Sequence, residues 1–154
     1  MGCVMDFRGF LRSRDKKLFF RMIVDQWGAV PDVLRDNEIF QSKDKFYLTN
    51  RNVEFIPSGL RVNNLGLYIA EVKKGEIRLS IEGSQLIGPV ASKNIFQITD
   101  EQLRQWFGGE DLSCDKNFSG FVILRHNDDF LGSGKFKNNV ILNFVPKARR
   151  VPLD

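Results

Sequence analysis

The segment from Phe130 to Arg150 constrains the fold more than any other. One apolar run, Phe130-Leu131-Gly132-Ser133-Gly134-Lys135-Phe136-Lys137, is followed by Asn138-Asn139 and then by a second, Val140-Ile141-Leu142-Asn143-Phe144-Val145. Asparagine tolerates the left-handed backbone that a tight turn demands, so the pattern predicts a β-hairpin. Pro146 ends the second run and opens the basic tail Lys147-Ala148-Arg149-Arg150. Upstream, Gly120-Phe121-Val122-Ile123-Leu124-Arg125 reads as a further strand that stops at the turn Asn127-Asp128-Asp129. Gly132 and Gly134 strip side chains from a strand, which either admits a second backbone or marks a bulge.

From the N-terminus, Ser13 to Trp27 has helical periodicity, with Leu18, Phe19, Met22, Ile23 and Trp27 on one face and Arg14, Lys17 and Arg21 on the other. Gly28 stands where a C-cap glycine belongs, and Pro31 follows. Val30 to Arg35 reads as a short helical turn. Ile39-Phe40-Gln41 and Phe46-Tyr47-Leu48-Thr49 flank a polar turn, a hairpin pattern; Val53-Glu54-Phe55-Ile56 and Leu60-Arg61-Val62 are two more short runs. Leu67 to Val72 is a strand answered across Lys73-Lys74-Gly75 by Glu76 to Leu79. A short helix follows from Ser80 to Leu86, stopped by Gly88-Pro89. Thr99 and Gln102 have capping-box spacing for a helix whose apolar side is Leu103, Trp106 and Phe107. The expected organisation is α+β: a small N-terminal α+β unit over residues 1–66, then a β-rich unit over 67–154, in contact with each other.

The chemistry of the chain is as informative for what it lacks. Gly134-Lys135 invites a phosphate-loop reading, but that loop needs a glycine where Asp129 stands and a Ser or Thr where Phe136 stands. His126 is the only histidine, and Cys3 and Cys114 are far apart without metal-ligand spacing, so neither a catalytic constellation nor a metal site is expected. No run approaches a membrane span, and charges within the first residues argue against a signal peptide; a cytoplasmic protein is expected. The net charge of +4 is modest. Its distribution is not: Lys135, Lys137, Lys147, Arg149 and Arg150 crowd the C-terminal hairpin and tail, while Glu110 to Phe130 is acidic.

From about Gly66 onward the chain resembles a PUA-type domain, an RNA-binding fold. It is similar in particular to the PUA-like C-terminal domain of Sun-family rRNA cytosine-5 methyltransferases, a pattern also found in stand-alone archaeal proteins. The residues that carry the resemblance are Gly66 to Gly75, Gly120-Phe121-Val122, Leu131-Gly132-Ser133-Gly134-Lys135 and Val145-Pro146-Lys147-Ala148-Arg149-Arg150. An N-terminal α+β unit ahead of such a domain is also the layout of a two-domain ribosome-biogenesis factor of archaea and eukaryotes. The chain departs from the pattern at Ser133, where an aromatic is usual, and at Ala148, where glycine is. The methyltransferase signatures are missing: Cys3 follows Gly2, Cys114 follows Ser113, and no glycine-rich cofactor loop is present.

The resemblance implies a mixed β-barrel of PUA type and a non-catalytic, cofactor-free protein that binds structured rRNA or tRNA in ribosome biogenesis or RNA modification. The expected RNA contacts are Lys135, Lys137, Lys147, Arg149 and Arg150, the glycines Gly132 and Gly134, and Lys73 and Lys74. Arg14, Lys17 and Arg21 are a rival basic surface whose plainer reading is a solvated helix face. Two other classes stay open: an adapter that docks on an RNA methyltransferase or assembly factor, and an enzyme of another type.

Overall fold

The computed structural model describes residues 8–50 and 66–151. The runs at 53–56 and 60–62, and Cys3, lie outside the described residues. The elements follow in the order β1 (Arg8–Phe10), α1 (Ser13–Trp27), α2 (Asp32–Arg35), β2 (Glu38–Ser42), β3 (Lys45–Thr49), β4 (Leu67–Lys73), β5 (Glu76–Leu79), α3 (Ile81–Ile87), β6 (Ile95–Gln97), α4 (Asp100–Phe107), β7 (Leu112–Ser113), β8 (Phe121–His126), β9 (Asp129–Lys137) and β10 (Val140–Leu142). A 3-10 turn, Lys147–Arg149, closes the described chain.

Local chemistry sets most of these bounds. Gly28 ends α1 in the left-handed conformation, φ 98°, with its N–H donating to the Val24 carbonyl. Ser80 caps α3 by accepting from the Gly83 N–H. At α4 the capping box is complete: Thr99 Oγ1 accepts from Gln102 N–H and Gln102 Oε1 accepts from Thr99 N–H. Asn138 and Asn139, with φ 53° and 63°, turn β9 into β10.

The strands form two five-stranded sheets, in the orders β1-β2-β3-β4-β5 and β6-β8-β9-β10-β7. The first is antiparallel throughout; the second is antiparallel except for β6, which runs parallel to β8. α1 lies on one face of the first sheet, burying Phe19, Ile23 and Trp27; Phe19 stacks on Phe46 of β3 at 4.3 Å between centroids. Leu18, expected on that face, is 52 % exposed. It sits one residue off the Phe19–Ile23–Trp27 line and so reaches only the rim of the sheet.

Instead of the expected barrel, the described strands pair into two open sheets. They meet through a side chain rather than a backbone ladder. The buried Ser133 hydroxyl of β9 accepts from the Leu79 N–H at 2.9 Å and donates to the Leu79 carbonyl at 3.0 Å, pairing both outward groups of the last residue of β5. α3 lies across the same junction, its Ser84 hydroxyl accepting from the Gly132 N–H at 2.7 Å. Two apolar cores result. One spans both sheets, joining Trp27, Ile39 and Leu79 to Phe121, Ile123 and Phe130. The other surrounds Trp106, whose indole N–H donates to the Leu131 carbonyl at 3.1 Å. The first sheet thus runs through residue 66, with β4 and β5 hydrogen-bonded onto β3.

Candidate nucleic-acid interface

Strand alternation decides which side chains leave the first sheet on the face away from α1. On β4 and β5 the cross-strand partners Glu71 and Arg78, and Lys73 and Glu76, share that face. The β4–β5 turn adds Lys74, and β9 brings Lys135 alongside. Together with Phe121 and Phe144 they line a groove of about 440 Å³. Arg78 and Phe144 also line a second hollow of about 310 Å³, with Lys45, Tyr68, Glu82 and Arg149. The Arg78 guanidinium lies 5.1 Å from the centre of the Phe144 ring, joining the two hollows into one surface. Six cations face three carboxylates across it.

Most of those cations are already paired. Arg78 bonds Glu71 at 2.5 Å, Lys73 lies 3.5 Å from the same carboxylate, Lys135 bonds Glu76 at 2.6 Å and Arg149 bonds Glu82 at 2.7 Å. The Lys135–Glu76 and Arg149–Glu82 pairs are partly exposed and worth little in stability, whereas Arg78–Glu71 is mostly buried. Their effect is to fix the side chains at the groove wall. Burial pushes the Tyr68 hydroxyl up to about 12, despite the opposing Arg78 cation.

The expected contact residues divide. Lys73, Lys74 and Lys135 converge on the larger groove, and Arg149 lines the adjoining hollow. Lys137 is exposed at the end of β9, beside the Asn138-Asn139 turn, and Lys147 is exposed on the tail. Arg150 turns the other way, its Nε donating to the Val145 carbonyl at 3.1 Å and its side chain lying against Gly109. Gly132 and Gly134 are buried. Gly132, φ 95°, occupies the irregularity between β8 and β9, where the chain gains a residue between Ile123 and Arg125 pairing. A Cβ on Gly134 would lie 2.6 Å from Ile141, Leu142 and Trp106 atoms, so the close approach there is by the chain itself. Arg14, Lys17 and Arg21 are exposed on α1, across the first sheet from the groove.

Sequence reasoning missed Arg78, Lys45, Tyr68, Phe144 and the three carboxylates. The alternation Glu71-Val72-Lys73 against Glu76-Ile77-Arg78 carried the signal: charged residues at every second position, facing one another across a two-residue turn. His126, at the end of β8, bonds Asp100 Oδ1 at 2.6 Å on the N-terminal turn of α4. No helix among the described residues is long and apolar enough to cross a membrane.

Residues 93–151 match the profile of the methyltransferase RsmF PUA domain. This part of the chain is a PUA-like domain, similar to the C-terminal domain of Sun-family enzymes. The chain is 27% identical over 115 residues to the ribosomal RNA small subunit methyltransferase F of Vibrio cholerae, covering 74% of the chain and 23% of that protein. It is 26% identical over 138 residues to the same enzyme of Aeromonas hydrophila, covering 89% and 28%. With that of Aliivibrio salmonicida the figures are 25% over 111 residues, 72% and 24%. The chain thus spans about a quarter of the length of these relatives. All three come from bacteria, which gives no support to the archaeal affinity that the two-domain resemblance implied. The PUA-like match begins after α3, whereas the resemblance read from residues began near Gly66.

Proposed function

We propose that this chain is a non-catalytic RNA-binding element that holds structured RNA, rRNA before tRNA, for a modification reaction carried out elsewhere. The observation that carries the reading is the convergence of Lys73, Lys74, Arg78, Lys135 and Arg149 on one groove beside the PUA-like domain. These cations come from three separate segments, and their excess over the three carboxylates raises the local concentration of a polyanion. The relatives are named for methylation of small-subunit ribosomal RNA, which favours rRNA as the ligand class. The long basic side chains are suited to phosphates, so binding is expected to follow RNA shape more than sequence.

The test is the salt dependence of RNA binding by the 154-residue chain. Each phosphate contact adds about 0.7–0.9 to the slope of log affinity against log salt. Replacing Lys73, Lys135 and Arg149 by Ala should weaken binding to unrelated structured RNAs and lower the slope by about two to three units. Replacing Arg14, Lys17 and Arg21 should leave the slope unchanged. The reverse result would move the interface to α1.

A further inference from the structure

The groove does not end at β4. On the face of the first sheet opposite α1, each of the first four strands contributes one aromatic ring at the same level. Phe10 of β1 pairs with Phe40 of β2, rings edge-to-face at 5.4 Å. Phe40 is the cross-strand partner of Tyr47 on β3, and Tyr47 of Tyr68 on β4, with these last two ring centres 5.7 Å apart. All four rings are only half-buried. The row steps across the sheet at the strand spacing of about 4.8 Å. One step along from the row, at the level of Lys45, β5 carries Arg78, the cross-strand partner of Glu71, whose guanidinium faces the Phe144 ring. Lys45 lies 5.3 Å from the centre of the Tyr68 ring.

We propose that this face is a stacking platform for unpaired nucleotides of the RNA whose structured part occupies the groove. The proposal rests on the RNA-binding reading above and extends it to the conformation of the ligand. Aromatic rings offer every base a π-face regardless of its identity. The cations beside the rings, Lys45 and Arg78, are placed for the phosphates between successive bases. A base on Tyr68 takes the position of the Lys45 ammonium, which then turns to the backbone. A duplex keeps its base faces stacked inside and has none to present to the row. An apolar protein surface would strip water from Lys45 and Arg78 without giving them a partner. Among these occupants, the pairing of rings with cations fits a single strand. The row is also continuous with the basic groove through Arg78, so one RNA can pass from one to the other.

The experiment measures binding of the full chain to a single-stranded RNA of about ten nucleotides and to a blunt duplex, by fluorescence anisotropy over a salt series. The variant Tyr47→Leu with Tyr68→Leu should lose about tenfold or more in single-strand affinity with little change in salt slope. Its duplex affinity should fall by a much smaller factor than its single-strand affinity. The paired Tyr→Phe variant keeps the rings and should bind the single strand as the parent does. Equal single-strand affinity for the Leu variant and the parent, with salt dependence intact, overturns the platform and leaves the RNA reading standing. Failure of the parent to bind either RNA removes both. Should the Leu variant not fold, photo-crosslinking of a thiouridine-substituted single strand to the parent decides the matter. Adducts on β3 or β4 uphold the platform, and adducts confined to residues 135–150 overturn it.

Discussion

At the scale of single residues, Ser133 is the instructive position. In the Leu-Gly-x-Gly-Lys segment it stands where the resemblance expects an aromatic. The structure buries it at 3 % exposure and uses both capacities of the hydroxyl on Leu79. Ser133→Ala leaves a buried N–H and carbonyl of β5 without partners, which should cost about 1–3 kcal/mol; chemical denaturation of the variant measures it. RNA binding should weaken only as far as the groove wall shifts. Tyr68 yields a second prediction from its raised pKa. The folded chain holds the phenolic proton more tightly than the unfolded chain, whose group titrates near its ordinary value of 10.0. The stability this provides is complete below about pH 10 and is lost as pH rises through about 12. Tyr68→Phe should therefore flatten the fall in melting temperature over that window, as followed by circular dichroism.

At the scale of elements, α1 tests how the first sheet is held. Trp27 is fully buried in the core that joins both sheets. Trp27→Ala should cost about 3–5 kcal/mol, visible as a large drop in unfolding midpoint, whereas Leu18→Ala, at the exposed rim, should cost far less. The bounds of α1, α4 and the hairpins were legible because short-range chemistry sets them: Gly28 at a C-cap, Thr99 with Gln102, two asparagines in a turn. The junction of the sheets was not, because it depends on Ser133 meeting a strand 54 residues away in sequence. The cations of the site were legible as a cluster near the C-terminus. Their division was not: Arg149 and Arg150 are adjacent in sequence, yet one reaches Glu82 and the other folds back onto Val145. The glycines follow the same rule, since Gly134 makes room for Trp106 and Leu142 of its own chain.

At the scale of the molecule, charge is ordered along β9. Asp129 begins the strand next to Asp128, and Lys137 ends it, about 25 Å away at the rise of a strand. Lys135, near the basic end, lines the groove and neither Asp128 nor Asp129 does, so the charge along the strand favours a polyanion at the groove. The three groove carboxylates moderate that field. Glu82 holds Arg149 at 2.7 Å with both side chains partly exposed, so the pair can exchange for a phosphate at the cost of leaving Glu82 near the anion. Removing that repulsion is the sharpest whole-molecule test of the groove. Glu82→Gln keeps the size and hydrogen-bonding reach of the side chain, adds one net positive charge and leaves Arg149 available to RNA. It should tighten structured-RNA binding by about three- to tenfold at low salt, with a smaller gain as salt screens the field. Glu110→Gln changes the net charge equally outside the residues that line the groove and should tighten binding much less. Equal gains from the two substitutions would mean that net charge alone draws the RNA and that the groove is not where it binds.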